Sequence, residues 1–176
     1  MEPPGILRTE RLVLRRATVD DAGAVFRYAS DPDVMKYIGI TPRESIEQVE
    51  EFLEHADKAW EARTTFTFAI TTQPAGSVVG VIDCDVTDRG VVIGYALERA
   101  AWGLGYMTEA VGAVVQWAFT NDDVYRVWTY VGVDNVASQR VLERVGMTNE
   151  GVLHRWLAMP NLAAEPSDAY VYAVWR

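Results

Sequence analysis

The chain of 176 residues has one cysteine, two histidines and fewer basic than acidic side chains, 16 Lys and Arg against 25 Asp and Glu. One cysteine, Cys84, forms no internal disulfide, so no covalent framework staples the fold. It reads as a buried strand residue. Acyl-cysteine chemistry needs an activating partner such as histidine, and nothing in the sequence places His55 or His154 beside it. These three residues are widely spaced and match no metal-ligand pattern, so no metal is expected. No apolar run approaches the roughly 20 residues of a membrane span. Met1-Glu2-Pro3-Pro4-Gly5 lacks the basic and apolar regions of a signal peptide. A cytoplasmic location without membrane contact is therefore expected. The formal charge of −9 argues against a nucleic-acid partner, which calls for a basic face. Solubility accounts for it; steering of a cationic substrate, an amine or a basic protein tail, is the alternative.

What is present points to one α/β domain over residues 1–176, with 49% hydrophobic residues to build a core. The organising stretch is Trp102-Gly103-Leu104-Gly105-Tyr106-Met107-Thr108-Glu109-Ala110. It follows the apolar run Val91 to Leu97, read as a buried strand, and precedes Val111 to Phe119, read as a helix. Two glycines at such a junction permit φ > 0 and close approach of a ligand to the backbone. The unpartnered N–H groups of a helix start then form an anion cradle, most simply for phosphate. The alternative is a tight turn without a ligand. A dinucleotide fingerprint would need a third glycine at Thr108, and a P-loop would need Gly-Lys-Ser/Thr, which does not occur.

Around this stretch the chain alternates. Leu12 and Leu14, flanked by Arg11, Arg15 and Arg16, make a short strand. Thr18-Val19-Asp20-Asp21 and Ser45-Ile46-Glu47-Gln48 read as capping boxes. They open helices through Ala22–Ala29 and through Ile46–Trp60, with Met35 to Pro42 irregular between them. Strands Thr65–Thr71, Val78–Asp85 and Val91–Leu97 are joined by short turns and hence antiparallel. The strand Arg126–Val131 follows a helical crossover and lies parallel to its predecessor. Asn135 caps a helix that stops at Gly146. Met147–Leu153 and Tyr170–Trp175 complete about seven strands, with a polar loop from Pro160 to Asp168.

Three features in order carry a family resemblance: the Gly-x-Gly cradle after the fourth of these strands, Asn135-Val136-Ala137-Ser138 after the fifth, and Arg144-Val145-Gly146-Met147 at the helix end. With the opening Leu-Arg-Thr-Glu-Arg-Leu-Val-Leu-Arg, they resemble the GNAT superfamily of N-acetyltransferases, most closely its RimJ/RimL-like branch. The resemblance covers Arg8 to Arg176. It implies a mixed, mostly antiparallel sheet with helices on both faces, splayed between the fourth and fifth strands. It implies acetyl-CoA as co-substrate, its pyrophosphate on the backbone of Gly103, Leu104, Gly105, Tyr106, Met107 and Thr108. The pantetheine arm would pair with the backbone around Leu97, Glu98 and Arg99, with Asn135 and Ser138 beside it.

The departures bear on the chemistry. Ala100 stands where relatives often carry Gln or Arg, and Met147 where Phe is usual. Leu142 occupies the position of a tyrosine that many members use as acid to the leaving thiolate. The resemblance offers Ser138 for that role, though both Asn135 and Ser138 also suit a helix start. Base candidates are Asp83 and Asp85, on one face of their strand, with Tyr95, Glu98, Glu109 and His154. Glu109, in the first turn of the cradle helix, is named as catalytic alongside Ser138, with dipole stabilisation as its structural alternative. RimL-like enzymes are expected to place a glutamate near Leu157, which this chain lacks. Trp156, Tyr170 and Tyr172 are core by default, with a pocket wall or a homodimer contact as alternatives. The expectation is an acetyl-CoA-dependent transferase acting on a primary amine, a protein N-terminus or a small molecule, by direct attack in a ternary complex. The rival is a non-catalytic acyl-CoA-binding or sensor domain.

Overall fold

A computed structural model describes residues 1–3, 5–74 and 76–176. Eight strands form one sheet in the order β1-β2-β3-β4-β5-β6-β8-β7. They are β1 (Ile6–Arg8), β2 (Leu12–Arg16), β3 (Thr65–Thr72), β4 (Val78–Thr87), β5 (Gly90–Leu97), β6 (Arg126–Gly132), β7 (Thr148–Leu157) and β8 (Ser167–Trp175). The helices are α1 (Ala22–Ala29), α2 (Pro32–Met35), α3 (Ile46–Glu61), α4 (Tyr106–Ala118) and α5 (Val136–Arg144). Every neighbouring pair is antiparallel except β5 with β6. Two elements exceed the sequence expectation. β1 is three residues long, too short to show an alternating pattern, and is held by pairing with β2. α2 is one turn, capped by the Asp31 carboxylate accepting from Asp33 N–H and opened by Pro32.

Side-chain alternation divides the sheet into two faces. Leu12, Leu14, Phe66, Phe68, Ile70, Ile82, Cys84 and Ile93 are buried with Met107, Ala110, Val111 and Val114 of α4. Trp60, Phe66, Phe68 and Trp117 add an edge-to-face cluster with centroids 5.0 to 5.5 Å apart. Each such pair contributes about 0.5–1.5 kcal/mol beyond area burial. On the opposite face Ala69, Val78 and Val81 pack against Val25 and Tyr28 of α1 and Val49 and Leu53 of α3. The first capping box holds: Thr18 N–H donates to Asp21 Oδ2 at 3.0 Å. At the second, Gln48 accepts from Glu44 N–H, one residue earlier than expected.

The consequential feature is the β5–β6 seam. Only Val91↔Val127 and Val92↔Trp128 pair, although β5 continues to Leu97 and β6 to Gly132. Beyond Trp128 the strands diverge. The splay implied by the resemblance is present. No helix among the described residues is long and apolar enough to cross a membrane.

Candidate active site

At one end of the splay lies the Gly-x-Gly turn. Gly103 and Gly105 have φ of +76° and +80°, left-handed values that an L side chain adopts only at a cost. A Cβ on Gly103 would meet nothing within 4 Å, so the backbone there is open to approach. Gly105 is the N-cap of α4, and the first bond into the helix is from Glu109 N–H to Gly105 C=O at 3.1 Å. The N–H groups from Gly103 to Thr108 have no acceptor among the described residues. They add to the positive end of a 13-residue helix. Phosphate oxygens fit this donor set.

The N-terminal hairpin grips the turn from outside. Glu109 accepts from Thr9 Oγ1 at 2.5 Å, Arg11 N–H at 2.9 Å and Arg11 Nε at 2.7 Å. Arg11 Nη1 donates to the Leu104 carbonyl at 2.9 Å, and its guanidinium lies 5.0 Å from the centre of the Tyr106 ring. Burial pushes the Glu109 carboxyl up, but the hydrogen bonds from Thr9 and Arg11 outweigh it and hold the group below its ordinary range. A carboxylate so engaged is a poor proton acceptor. This placement argues against the catalytic role expected of Glu109 and for an anchoring one. Arg11 is a residue the sequence reading left without a role.

The β5 edge differs in detail from expectation. Glu98 N–H donates to Val79 C=O at 2.7 Å, the Leu97 carbonyl accepts from Trp102 Nε1 at 2.8 Å, and the Glu98 and Arg99 carbonyls accept from Ala101 and Trp102 N–H. Most backbone groups of residues 97–99 are thus engaged internally. Their side chains also turn elsewhere, Glu98 to Arg27 and Arg99 to Asp31 and Asp33. The Glu98–Val79 bond sets the ladder's alternation, which makes Ile82–Tyr95 and Gly80–Leu97 the non-bonded pairs towards β4. Tyr95 N–H and C=O and Leu97 N–H therefore point into the splay, where β6 offers no partner, while the Leu97 carbonyl is taken by Trp102. The free edge lies at Tyr95 to Leu97, upstream of the expected 97–99.

α5 begins beside the same gap. The Asn135 side chain accepts from Ser138 N–H at 3.2 Å, capping the helix as its sequence suits. Gly146, at φ +89°, ends it, with Gly146 and Met147 N–H returning to Glu143 and Leu142 C=O. Leu142 is fully buried in the core. The hydroxyl missing at that position comes from another element: Tyr95 Oη on β5 lies 2.6 Å from Ser138 Oγ. Burial pushes the Tyr95 phenol up to about 12 despite the opposing hydrogen bond from Ser138, so it keeps its proton at neutral pH. Sequence reasoning listed both residues but did not pair them. They stand 43 positions apart, and only the splay shows that the β5 face carrying Tyr95 meets α5.

The other candidates scatter. Asp83 and Asp85 lie on the sheet face opposite Tyr95, accepting from Thr67 Oγ1 at 2.6 Å and Thr65 Oγ1 at 2.7 Å. Cys84, between them, points into the core, and burial drives its thiol upward, away from a nucleophilic thiolate. His154 is an exposed residue of the outermost strand, 2.9 Å from Asp168. Tyr172 is core, as expected by default, whereas Trp156 is 54% exposed. Asn161, in the Pro160–Asp168 loop, donates to the carbonyls of Met35 and Ile40, both at 2.7 Å, and fastens that loop over the end of α2.

Comparison with known proteins agrees with this geometry. The family model described as acetyltransferase (GNAT) domain matches residues 11–148. The chain is 30% identical over 172 residues to the uncharacterized N-acetyltransferase YoaA of Bacillus subtilis, covering 96% of each. A GNAT-family acetyltransferase structure from Bacillus anthracis superposes with a TM-score of 0.84 at 28% identity, over 97% of this chain and 98% of that one. RimL, a ribosomal L7/L12 α-N-protein acetyltransferase solved with coenzyme A, has the same fold, with a TM-score of 0.85 at 20% identity over 97% of each chain. The chain belongs to the GNAT family of acetyltransferases.

Proposed function

We propose that the protein moves an acetyl group from acetyl-CoA to a primary amine by direct attack within a ternary complex. The observation that carries this reading is the Tyr95–Ser138 hydroxyl pair, facing the gap whose outer end is the anion cradle. The cradle N–H groups from Gly103 to Thr108 would hold the pyrophosphate, each charge-assisted bond contributing ~1.5–3 kcal/mol. Asn135 holds the start of α5, and hence Ser138, against the pantetheine side of the gap. Backbone groups of Tyr95 and Leu97 offer the pairing edge, and an N–H from this edge polarises the thioester carbonyl, an effect typically contributing 10²–10³ in rate.

Ser138 Oγ donates to the departing sulfur while accepting from Tyr95 Oη. A hydrogen bond to the sulfur eases departure of the thiolate and delivers its proton. Glu109 and Arg11 take no part in proton transfer and keep the cradle loop on the hairpin. A sensor domain would need no such hydroxyl pair at the thioester end of the gap, so the pair favours catalysis. Incubation with acetyl-CoA and a panel of peptides and small amines, followed by thiol release, tests the reading. Release that depends on the amine supports it. Coenzyme binding without release on any amine supports the sensor.

A further inference from the structure

Where the sheet opens, backbone pairing no longer fixes β6 relative to β5. The last paired positions are Val92 and Trp128, whereas the hydroxyl pair lies further out, at Tyr95 and at Ser138 beyond the end of β6. Other contacts must hold the two halves at one spacing. On the α5 face the Tyr95–Ser138 bond itself crosses the gap. On the opposite face the segment from Asp31 to Ile40 crosses it at the wide end.

One end of this strap is tied to the β5 side. Arg99, just past β5, pairs with Asp31 at 3.3 Å and with Asp33 at 2.5 Å. Val34 packs into the cluster under α1. The other end is tied to the β6 side. Asn161 Nδ2 donates to the Met35 and Ile40 carbonyls, both at 2.7 Å. A Cβ on Gly39 would lie 3.3 Å from the Ala158 carbonyl, so backbone meets backbone there. Tyr37 Oη donates to the Asp134 carbonyl at 3.3 Å. A Cβ on Gly132, the last residue of β6, would meet Met159 Cε at 3.0 Å and Tyr37 Cδ1 at 3.9 Å. Both side chains therefore sit against the Gly132 backbone. Met159 is buried, and its carbonyl accepts from Leu162 and Ala163 N–H, a turn that presents Asn161.

The turn held in this way is the one that launches α5. Asn135 N–H donates to the Gly132 carbonyl at 2.9 Å, and Val136 N–H to that of Asp134 at 3.0 Å. Asn135 in turn accepts from Ser138 N–H, and Gln139 Nε2 donates to the Val133 carbonyl at 2.9 Å. We infer that Asn161 is a positioning residue for acetyl transfer. Through the strap and the Gly132–Asn135 turn it fixes Ser138 against Tyr95. This rests on the acetyl-transfer reading and on the place of Ser138 in it. A primary amide suits the task, because its two donors satisfy two carbonyls of one loop at once. Two strands without ladder bonds separate readily, and a misplacement of about 1 Å at the reacting groups can cost about 10²-fold in rate.

The test uses N161A, alone and combined with S138A, and Y37F, which removes only the Tyr37–Asp134 bond. N161A should lower kcat with a primary amine about tenfold or more. Acetyl-CoA affinity should stay within about twofold, because the cradle is held separately by the N-terminal hairpin. Y37F should lower kcat by a smaller factor. In the S138A background N161A should cost less than about twofold more, since it acts through Ser138. A residue that only supports the fold would lower both backgrounds alike. Amide hydrogen exchange gives a readout apart from turnover: N161A should speed exchange at Asn135, Ser138 and Gln139 about tenfold, with the β4 amides unchanged. Unchanged kcat, an equal loss in both backgrounds, or unchanged exchange at Ser138 overturns the inference while leaving acetyl transfer standing. A wild type that acetylates no amine, with exchange at Ser138 still faster in N161A, counts against the transfer reading and for the fastening.

Discussion

Tyr95 Oη and Ser138 Oγ stand 2.6 Å apart, bridging β5 and α5 where the sheet opens. Neither stands at the position of Leu142 on α5, which is buried without a polar atom to offer. The two hydroxyls form one donor unit, and their removal should be non-additive. S138A should lower kcat by about 10–100-fold with acetyl-CoA affinity unchanged, and Y95F by a somewhat smaller factor. The double variant should be little worse than S138A alone. Steady-state kinetics with calorimetric binding checks this; near wild-type turnover in S138A would remove the pair from the mechanism.

The Glu109 anchor makes a different prediction. E109Q weakens the charge-assisted bonds to Arg11, loosening the loop whose Leu104 carbonyl Arg11 also holds. Acetyl-CoA affinity should fall about tenfold, equivalent to about 1.4 kcal/mol. Once the enzyme is saturated, kcat should be nearly unchanged. A collapse of kcat at saturation would return Glu109 to proton transfer.

Gly105 should resist substitution. Alanine at φ +80° costs about 1–2 kcal/mol of backbone strain, and its Cβ would lie 3.4 Å from Arg11 Nη2. G105A should therefore lower both Tm and coenzyme affinity. Gly103, equally left-handed but with open surroundings, should show the strain with a smaller loss of Tm.

Two aspartates should act on stability with opposite pH dependence. Asp83 sits at about 6 in the folded chain against about 3.9 unfolded. The folded state binds more protons between those values, so this group makes the protein less stable as pH rises from about 4 to about 6, and the loss persists above. D83N should therefore raise stability at pH 7.5 by roughly 1–2 kcal/mol, allowing for partial exposure, and change little at pH 4. Asp21 is 5% exposed and held low: burial lifts it, but the Arg15 and Thr18 hydrogen bonds outweigh that. Its stabilisation is full above the unfolded value and is lost as pH falls through the folded one. D21A, leaving Arg15 unpaired, should cost about 3 kcal/mol at pH 7. Urea titrations at the two pH values measure both.

Local signals in the sequence reach part of this architecture. The glycine pair, the Asn135 cap and the Gly146 stop each depend on neighbours a few residues away, and all three stand where the pattern places them. The three-residue β1 and one-turn α2 carry no periodicity to read. The splay came from family likeness alone, because nothing in β5 or β6 records where their pairing ends. The Tyr95–Ser138 pair and the Arg11–Glu109 grip span 43 and 98 positions. Such contacts arise from strand order and from which face each residue takes, so sequence spacing cannot reveal them. Glu109 shows the converse: an acid well placed on paper whose oxygens are already engaged.

Mass analysis of the amine after incubation with acetyl-CoA tests the central claim most directly. Thiol release alone also reports hydrolysis of the thioester, whereas the amide identifies transfer. An N-acetylated amine that forms with wild type and falls sharply with S138A is the predicted result. Acetyl-CoA bound at the cradle, with no acetylated amine from any acceptor offered, would contradict the account.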